Sequence, residues 1–287
     1  MDDGCSPLNP IIAVLVGLIL GVIAVSLIRI AKQPRRVRYF AACEYWVFIP
    51  DDKMPNQDEI MTSMVARNPH TQGGQSPVGA KEGILFSDVR LHCSLVLRAK
   101  NPHVFRPDIY ADVEVSPEIL AGLGLAQAIV KIRYVSEVPL VDDRHLQFLP
   151  HMAGAYARMG KATAIYDAVT ERLFTPQEFE AILGQDIDVK RPEVHVRVSW
   201  IRDGGAARAE TKGLIKKGMA ELVTADARID NERLVCEVLE DAAHLAWTRG
   251  ENLETEIVEY FGDKFEVKIL PPRERKSLVH IVRYQAI

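Results

Sequence analysis

The run IIAVLVGLILGVIAVSLI, from Ile11 to Ile28, decides how the rest of the chain is placed. It contains 18 residues, none of them charged, and Ser26 is its only side chain with a hydroxyl group. A helix of this length rises about 27 Å, which is close to the roughly 30 Å hydrocarbon core of a bilayer. The run therefore predicts a single transmembrane helix, and the lipid bilayer is the first predicted partner of the chain.

The flanks of this run predict its orientation. Only Asp2 and Asp3 precede it as charged residues, and a cleaved signal peptide would need a basic segment there and a small-residue cleavage site afterwards. Basic side chains that follow a membrane span stay in the cytoplasm, and they also suit anionic lipid headgroups. We therefore expect a single-pass protein of the inner (cytoplasmic) membrane, with the N-terminus outside and the C-terminal body in the cytoplasm. The basic side chains are Arg29, Lys32, Arg35, Arg36 and Arg38.

Small residues follow one face of the predicted membrane helix. Gly17 and Gly21 form a G-x-x-x-G pattern, and Ala13 extends the same face by one turn. Such a stripe lets two helices approach closely in a membrane. It predicts a homodimer that forms through the membrane helix.

The body, residues 39–287, is acidic and has few cysteines. The whole chain has a formal net charge of −4, and residues 1–38 contribute +3, which leaves −7 for the body. An acidic body disfavours nucleic acid as a partner, because phosphate binding needs clustered positive charge. The chain has 4 cysteines and no C-x-x-C pair, so neither a disulfide framework nor a zinc site is expected. We predict no metal and no cofactor.

Hydrophobic periodicity predicts an α+β body in two halves, at residues 39–140 and 141–287, after a membrane anchor and basic linker at residues 1–38. Alternating apolar residues or a continuous apolar run such as Cys43–Ile49 indicate strands, and apolar residues at helical spacing after a cap indicate helices. Ser116 is a predicted N-cap, and Thr175 with Glu178 a predicted capping box. Each half then reads β, α, β, β, α, β, the order of a ferredoxin-like unit with an antiparallel sheet. The predicted strands include Cys43–Ile49, Arg90–Arg98, Ile109–Val115, Ala128–Val135, Ala162–Tyr166 and Val194–Ile201.

One motif stands between a predicted hairpin and the last long helix. From Thr211 to Leu222 the chain has T-x-G-L-x-x-x-G-x-x-E-L, which includes Gly213, Gly218 and Glu221. The glycines permit positive φ angles at a turn, and Glu221 is suited to cap it or to form a salt bridge. The alternative is a ligand-binding turn that uses Thr211, Gly213, Gly218 and Glu221.

This motif resembles the C-terminal signature of a bacterial family catalogued as domain of unknown function 4261. The similarity extends upstream through HMAGAYARMGKATAIYDAVTERLFTPQEFEAI and covers about residues 43 to 287. The family has no established activity. The resemblance therefore implies an α+β body and assigns no catalytic residue.

Acidic residues at the ends of predicted strands are the candidates for catalysis. Asp51 follows the first strand, Asp142 precedes the helix that links the halves, and Asp167 ends a strand. Three carboxylates that converge can hold a divalent metal or exchange protons with a substrate. The simpler interpretation is that they occupy turns and helix caps, where acidic residues are common.

These observations support three hypotheses about function. The leading one is a membrane-tethered cytosolic module that binds a protein partner or regulates it. The second is a metal-dependent hydrolase whose cleft lies between the two halves and uses Asp51, Asp142 and Asp167. The third is a bacterial immunity or defence protein, which rests on the association with uncharacterised bacterial families alone.

Overall fold

The computed structural model describes residues 40–66, 90–110, 115–184, 189–203, 206–224, 232–260 and 263–283. The predicted membrane helix, its pairing residues (Ala13, Gly17 and Gly21) and the five basic residues from Arg29 to Arg38 lie outside them. No helix among the described residues has the length and apolar character needed to cross a bilayer. The described residues form six α-helices and two sheets that are mostly antiparallel, which confirms the predicted α+β class.

The first sheet has five strands in the order β2-β3-β1-β4-β5, and every neighbouring pair is antiparallel. β1 pairs with β3 over its whole length, and β4 adds to the opposite side of β1. β4 and β5 follow residue 140, so the first sheet continues past the boundary predicted between the halves. The strands are β1 (Ala41–Ile49), β2 (Leu91–Leu97), β3 (Ala128–Ser136), β4 (Ala164–Asp167) and β5 (Arg172–Phe174).

Three helices cover the inner face of the first sheet. They are α1 (Gln57–Ala66), α3 (Arg144–Met159) and α4 (Pro176–Gly184). Alternate residues of β1 point towards them and are buried among their apolar side chains, in agreement with the buried strand predicted at Cys43–Ile49. The capping box predicted for α4 forms: Thr175 N donates to Glu178 Oε2 at 2.8 Å, and Glu178 N donates to Thr175 Oγ1 at 3.2 Å.

Part of the outer face of the first sheet is covered by two short 3-10 turns, at Pro102–Phe105 and Pro107–Tyr110, and by α2 (Pro117–Leu125). Ser116 caps α2 as predicted, because its Oγ accepts a hydrogen bond from Ile119 N at 3.3 Å. The strand predicted at 109–115 is wrong where the structure describes it. Pro107 starts a turn there, and the Tyr110 hydroxyl donates to Val104 O at 3.1 Å, which closes the segment on itself.

The second sheet has six strands in the order β6-β7-β8-β11-β10-β9, and the long helix α6 (Glu232–Arg249) packs on one face. A single-turn helix, α5 (Pro192–His195), precedes the sheet. β8 and β11 are parallel, so this sheet does not have the antiparallel βαββαβ order predicted for the second half. The strands are β6 (Arg197–Asp203), β7 (Ala206–Lys212), β8 (Glu221–Thr224), β9 (Thr255–Tyr260), β10 (Asp263–Ile269) and β11 (Lys276–Arg283).

The two glycines of α2 differ in what surrounds them, which gives a test of the packing. A Cβ atom at Gly122 would lie 2.3 Å from Thr163 O, whereas a Cβ atom at Gly124 would meet nothing within 4 Å. We expect Gly122→Ala to lower the free energy of unfolding by about 1–3 kcal/mol, because the backbone of Thr163 must move. Gly124→Ala should raise it by up to about 1 kcal/mol through helix propensity. Urea unfolding followed by tryptophan fluorescence measures both, and equal shifts would contradict this packing.

Candidate functional site

The motif from Thr211 to Leu222 forms a tight turn between β7 and β8. Gly213 has a φ of 122°, and a Cβ atom there would lie 1.9 Å from His195 O, so only glycine fits. Leu214–Lys217 makes one 3-10 turn, and Gly218 ends it with a φ of 78°. The ring of Phe40 lies against Gly218, where a Cβ atom would be 2.8 Å from the ring.

Glu221 holds this turn together from inside. Its carboxylate accepts hydrogen bonds from Thr211 Oγ1 at 2.8 Å, Gly213 N at 2.9 Å, Ile215 N at 3.1 Å and Leu214 N at 3.3 Å. Burial raises the pKa of this carboxyl above its ordinary value, and the hydrogen bonds act in the opposite direction. All four residues predicted as a binding turn are therefore explained as parts of the turn itself.

The turn carries Lys216 into the interior, where it meets Asp167. Lys216 Nζ lies 2.5 Å from Asp167 Oδ2, and the two side chains are 0% and 1% exposed. The other oxygen, Oδ1, accepts from Val169 N at 3.1 Å and Thr170 N at 3.3 Å. The structure thus brings one predicted catalytic residue, Asp167, into contact with the predicted binding turn.

Side chains of β1 line the same interior. The ring of Tyr45 has its centroid 5.4 Å from Lys216 Nζ, and Asp167 lies directly opposite Tyr45 in the register of β1 and β4. Burial raises the pKa of the Cys43 thiol to about 12, so this cysteine is protonated at neutral pH and is a poor nucleophile. Burial also raises the pKa of Tyr45 well above its ordinary value.

Two buried histidines pack beside the ion pair, one from each side. His145, on α3, donates from Nε2 to Lys216 O at 2.7 Å and stacks on Tyr134 at a centroid distance of 4.5 Å. His195, on α5, donates from Nε2 to Val189 O at 2.8 Å and stacks on Trp247 at 5.3 Å. Burial lowers the pKa of His145 and lowers that of His195 further, so both rings are neutral at pH 7.

The arrangement connects the two sheets rather than opening to a ligand. Asp167 belongs to the first sheet, and Lys216 belongs to the turn between two strands of the second. Because both charged groups are sealed from solvent, a substrate has no approach to them. We therefore assign the Lys216–Asp167 pair a structural role as a cross-link between the sheets.

The other two predicted catalytic residues lie elsewhere. Asp51 is exposed just beyond the end of β1, about 20 Å along the strand from the position opposite Asp167. Asp142 precedes α3 and accepts from Arg144 Nε at 2.9 Å, a contact that lowers the pKa of the Asp142 carboxyl. Among the described residues, no group of three or more His, Cys, Asp or Glu side chains could hold a metal ion. The predicted metal-hydrolase site is therefore not assembled.

No pattern in the sequence indicates that Lys216, His145 and His195 are buried together. Lysine is rarely buried unless it is paired, and the partner of Lys216 lies 49 residues away in the chain. The alternation of the predicted strand Val194–Ile201 puts His195 on its polar face, whereas Pro192–His195 forms a helical turn in which His195 is buried. Only the spacing of Gly213, Gly218 and Glu221 indicated a turn in this part of the chain.

A second polar surface lies on the outer face of the first sheet, beyond the part covered by α2. Neighbouring strands place its residues in rows, with Ser94 opposite Lys131, Lys131 opposite Trp46, and Trp46 opposite Tyr166. Ser94 and His92 are exposed, and the others are partly exposed. We call this surface the open face; it comprises Ser94, Lys131, Trp46 and Tyr166 in one row and His92, Arg133 and Glu44 in the next.

Trp46 is the centre of the open face. Lys131 Nζ lies 3.6 Å from the centroid of its ring, and Tyr166 contacts it edge-on at a centroid distance of 5.5 Å. The indole Nε1 donates to Glu44 Oε1 at 2.5 Å, and Glu44 Oε2 lies 3.3 Å from Arg133 Nε. Partial burial lowers the pKa of Lys131 and raises that of Tyr166.

Comparison with protein-family models, curated proteins and solved structures gives no match for this chain. The resemblance of the motif from Thr211 to Leu222 to domain of unknown function 4261 therefore stays a prediction. The roles given to the residues of this motif rest on their own contacts.

The buried ion pair makes a prediction about stability. We expect Lys216→Met to lower the free energy of unfolding by about 3–5 kcal/mol, because it leaves the Asp167 carboxylate buried without a countercharge. Adding Asp167→Asn should recover part of that loss, since both charges are then gone. Arg233→Ala is the control: its pair with Glu237 lies at the surface, so losing it should leave the free energy of unfolding nearly unchanged. Urea unfolding measures all three, and a control as damaging as Lys216→Met would contradict the assignment.

The buried histidines make a prediction about pH. Their pKa values are depressed in the folded chain, so the unfolded chain binds more protons once the pH falls below the ordinary value of 6.5. Stability should therefore be retained above about pH 6.5 and lost below it, with a limiting slope of about 1.4 kcal/mol per pH unit for each histidine. His145→Gln should reduce the slope, whereas the exposed His280→Gln should not. Urea midpoints between about pH 7.5 and 5.5 test this, and a slope insensitive to both substitutions would contradict it.

Proposed function

We propose that the chain is a membrane-tethered interaction module whose body, held at the cytoplasmic surface, binds a protein partner through the open face. The observation that carries the proposal is the half-covered outer face of the first sheet. One part of it is buried under α2 and the two 3-10 turns, and the described residues cover the next two rows of side chains only partly. A partly exposed Trp flanked by Tyr and Arg is the composition that dominates binding energy at protein interfaces.

The rigidity of the body supports this role. Trp46 and Tyr166 belong to strands that are paired on both sides within the first sheet. Their inner faces are filled by apolar side chains and by the Lys216–Asp167 pair. A surface that is already ordered binds a partner with less entropy cost.

The ferredoxin-like fold predicted for the first half also remains a proposal. The order β4-β1-β3-β2, with α1 and α3 packed on one face, fits a ferredoxin-like unit to which β5 and the outer helices are added. In such a unit the face opposite the two helices is free to bind. The open face lies on that side.

The tether rests on the sequence from Ile11 to Ile28 and on the basic residues that follow it. Residues 1–38 place the body next to the bilayer in this proposal, and pairing through Gly17 and Gly21 would bring two bodies together. Tethering also limits the search for a partner to the membrane surface, which raises the effective concentration of a membrane-bound partner.

The tether is tested by extraction from membranes. We expect the full chain to stay in the pellet after an alkaline carbonate wash, because an apolar helix that spans the bilayer is not displaced by salt or base. A variant that begins at Tyr39 should appear in the soluble fraction. Protease added to sealed inverted vesicles should digest the body, whereas protease added to right-side-out vesicles should leave it intact. Release of the full chain by the wash would overturn the tether.

A further inference from the structure

We infer that the open face binds an acidic segment of a protein partner, and that Lys131 is the residue that selects for negative charge. This rests on the proposed interaction function and names the chemistry of the partner. It is carried by the Lys131 ammonium and the hydroxyl groups of Ser94 and Tyr166, for which the described part of the chain supplies no acceptor.

Lys131 is a cation that makes no ion pair with any residue the structure describes. Its ammonium lies over the ring of Trp46. Glu44, the acidic side chain of the open face, accepts a hydrogen bond from Trp46 Nε1 and forms a salt bridge with Arg133. The ammonium is also partly removed from water. A cation held in this way gains more from an approaching carboxylate than a fully solvated one does.

Two hydroxyl groups lie in the same row as Lys131. Ser94 is directly opposite Lys131, and Tyr166 is directly opposite Trp46. Neither hydroxyl makes a hydrogen bond within the part of the chain that the structure describes. Lys131, Ser94 and Tyr166 thus present donors along one row, which suits the carboxylate and carbonyl oxygens of a peptide segment.

The charge around this row is positive although the body carries −7. Lys131 and Arg133 stand on the open face against the single acid Glu44. At its border, Glu171 is paired with Lys212, and Glu171 O accepts from Arg197 Nη1 at 2.9 Å. Because Arg133 is paired with Glu44, the remaining positive charge of the open face lies at Lys131, and it matches one carboxylate.

A peptide fits these features better than a nucleic acid does. Base stacking needs an open aromatic face, and the ring of Trp46 is covered on one side by Lys131 and contacted at its edge by Tyr166. A run of phosphates also needs a longer row of cations than two, and it would be repelled by the acidic body. The apolar surface of Trp46 and Tyr166 instead suits apolar side chains that accompany the acidic ones.

The test is a selection of peptides that bind the full-length protein. A phage-displayed library of random short peptides is panned against the purified, immobilised full-length protein, and the selected peptides are sequenced. We expect sequences rich in Asp and Glu that also contain apolar residues. A synthetic peptide of the consensus sequence is then labelled, and its Kd is measured by fluorescence anisotropy at two salt concentrations, since an ionic contact must weaken as salt rises.

Two lysines on different surfaces make a matched pair for this measurement. Lys131→Glu should weaken the consensus peptide about tenfold or more, and Lys131→Gln should weaken it by a smaller factor, because the first also repels the ligand. Lys268→Glu, which changes charge equally at an exposed position of β10, should alter the Kd by less than about twofold. Unchanged circular dichroism and unfolding midpoints show that each variant is folded.

The remaining outcomes separate this inference from the function it rests on. Peptides that depend on Trp46, tested with Trp46→Leu, but are neutral or basic would overturn the inference and leave the interaction function standing. Peptides that bind equally well to Lys131→Glu and to Trp46→Leu would overturn both. A labelled oligouridine that binds the full chain and loses binding in Lys131→Glu would replace the peptide with nucleic acid, which also overturns the inference.

Discussion

The structure depends on one buried ion pair, between Lys216 and Asp167. Removing two charges from water is costly, and further contacts offset part of that cost: Asp167 accepts two backbone N–H groups, and the Lys216 ammonium lies 5.4 Å from the ring centroid of Tyr45. The turn that carries Lys216 is fixed in turn by Glu221, which binds three further backbone N–H groups. A replacement of either charge by an apolar residue would change a contact that specifies where the second sheet joins the first.

The same pair also fixes the register of β4, and through it the open face. β4 has only four residues and pairs with β1 from Phe48 opposite Ala164 to Tyr45 opposite Asp167. A shift by one residue would turn Asp167 to the outer face and Tyr166 to the interior, because side chains alternate along a strand. The contact with Lys216 excludes that shift. Tyr166 consequently stands beside Trp46, so the interior determines what the surface presents.

Sequence patterns predicted the strands and helix caps that depend on residues close together in the chain. The apolar run of β1, the alternation of β2 and the caps at Ser116 and Thr175 could be predicted because each depends on residues a few positions apart. β5 and β8 have three and four residues, which is too short for alternation to show. The order of the second sheet and the contact between Lys216 and Asp167 depend on pairs far apart in the chain, and no periodicity encodes them. Asp51, Asp142 and Asp167 share a residue type and a place near strand or helix ends, but the register of β1 separates Asp51 from Asp167.

The small size of the open face is consistent with the proposed membrane tether. Two rows of side chains with two cations can hold a short segment of a partner, and a contact of that size has modest affinity on its own. Confining the body and a membrane-bound partner to one surface raises their effective concentration, so that modest affinity is enough for occupancy. Modest affinity also lets the partner dissociate, which a regulatory contact needs and a large apolar interface would prevent. In this proposal the apolar run near the N-terminus and the open face act together, because the first raises the local concentration of the partner and the second supplies the contact.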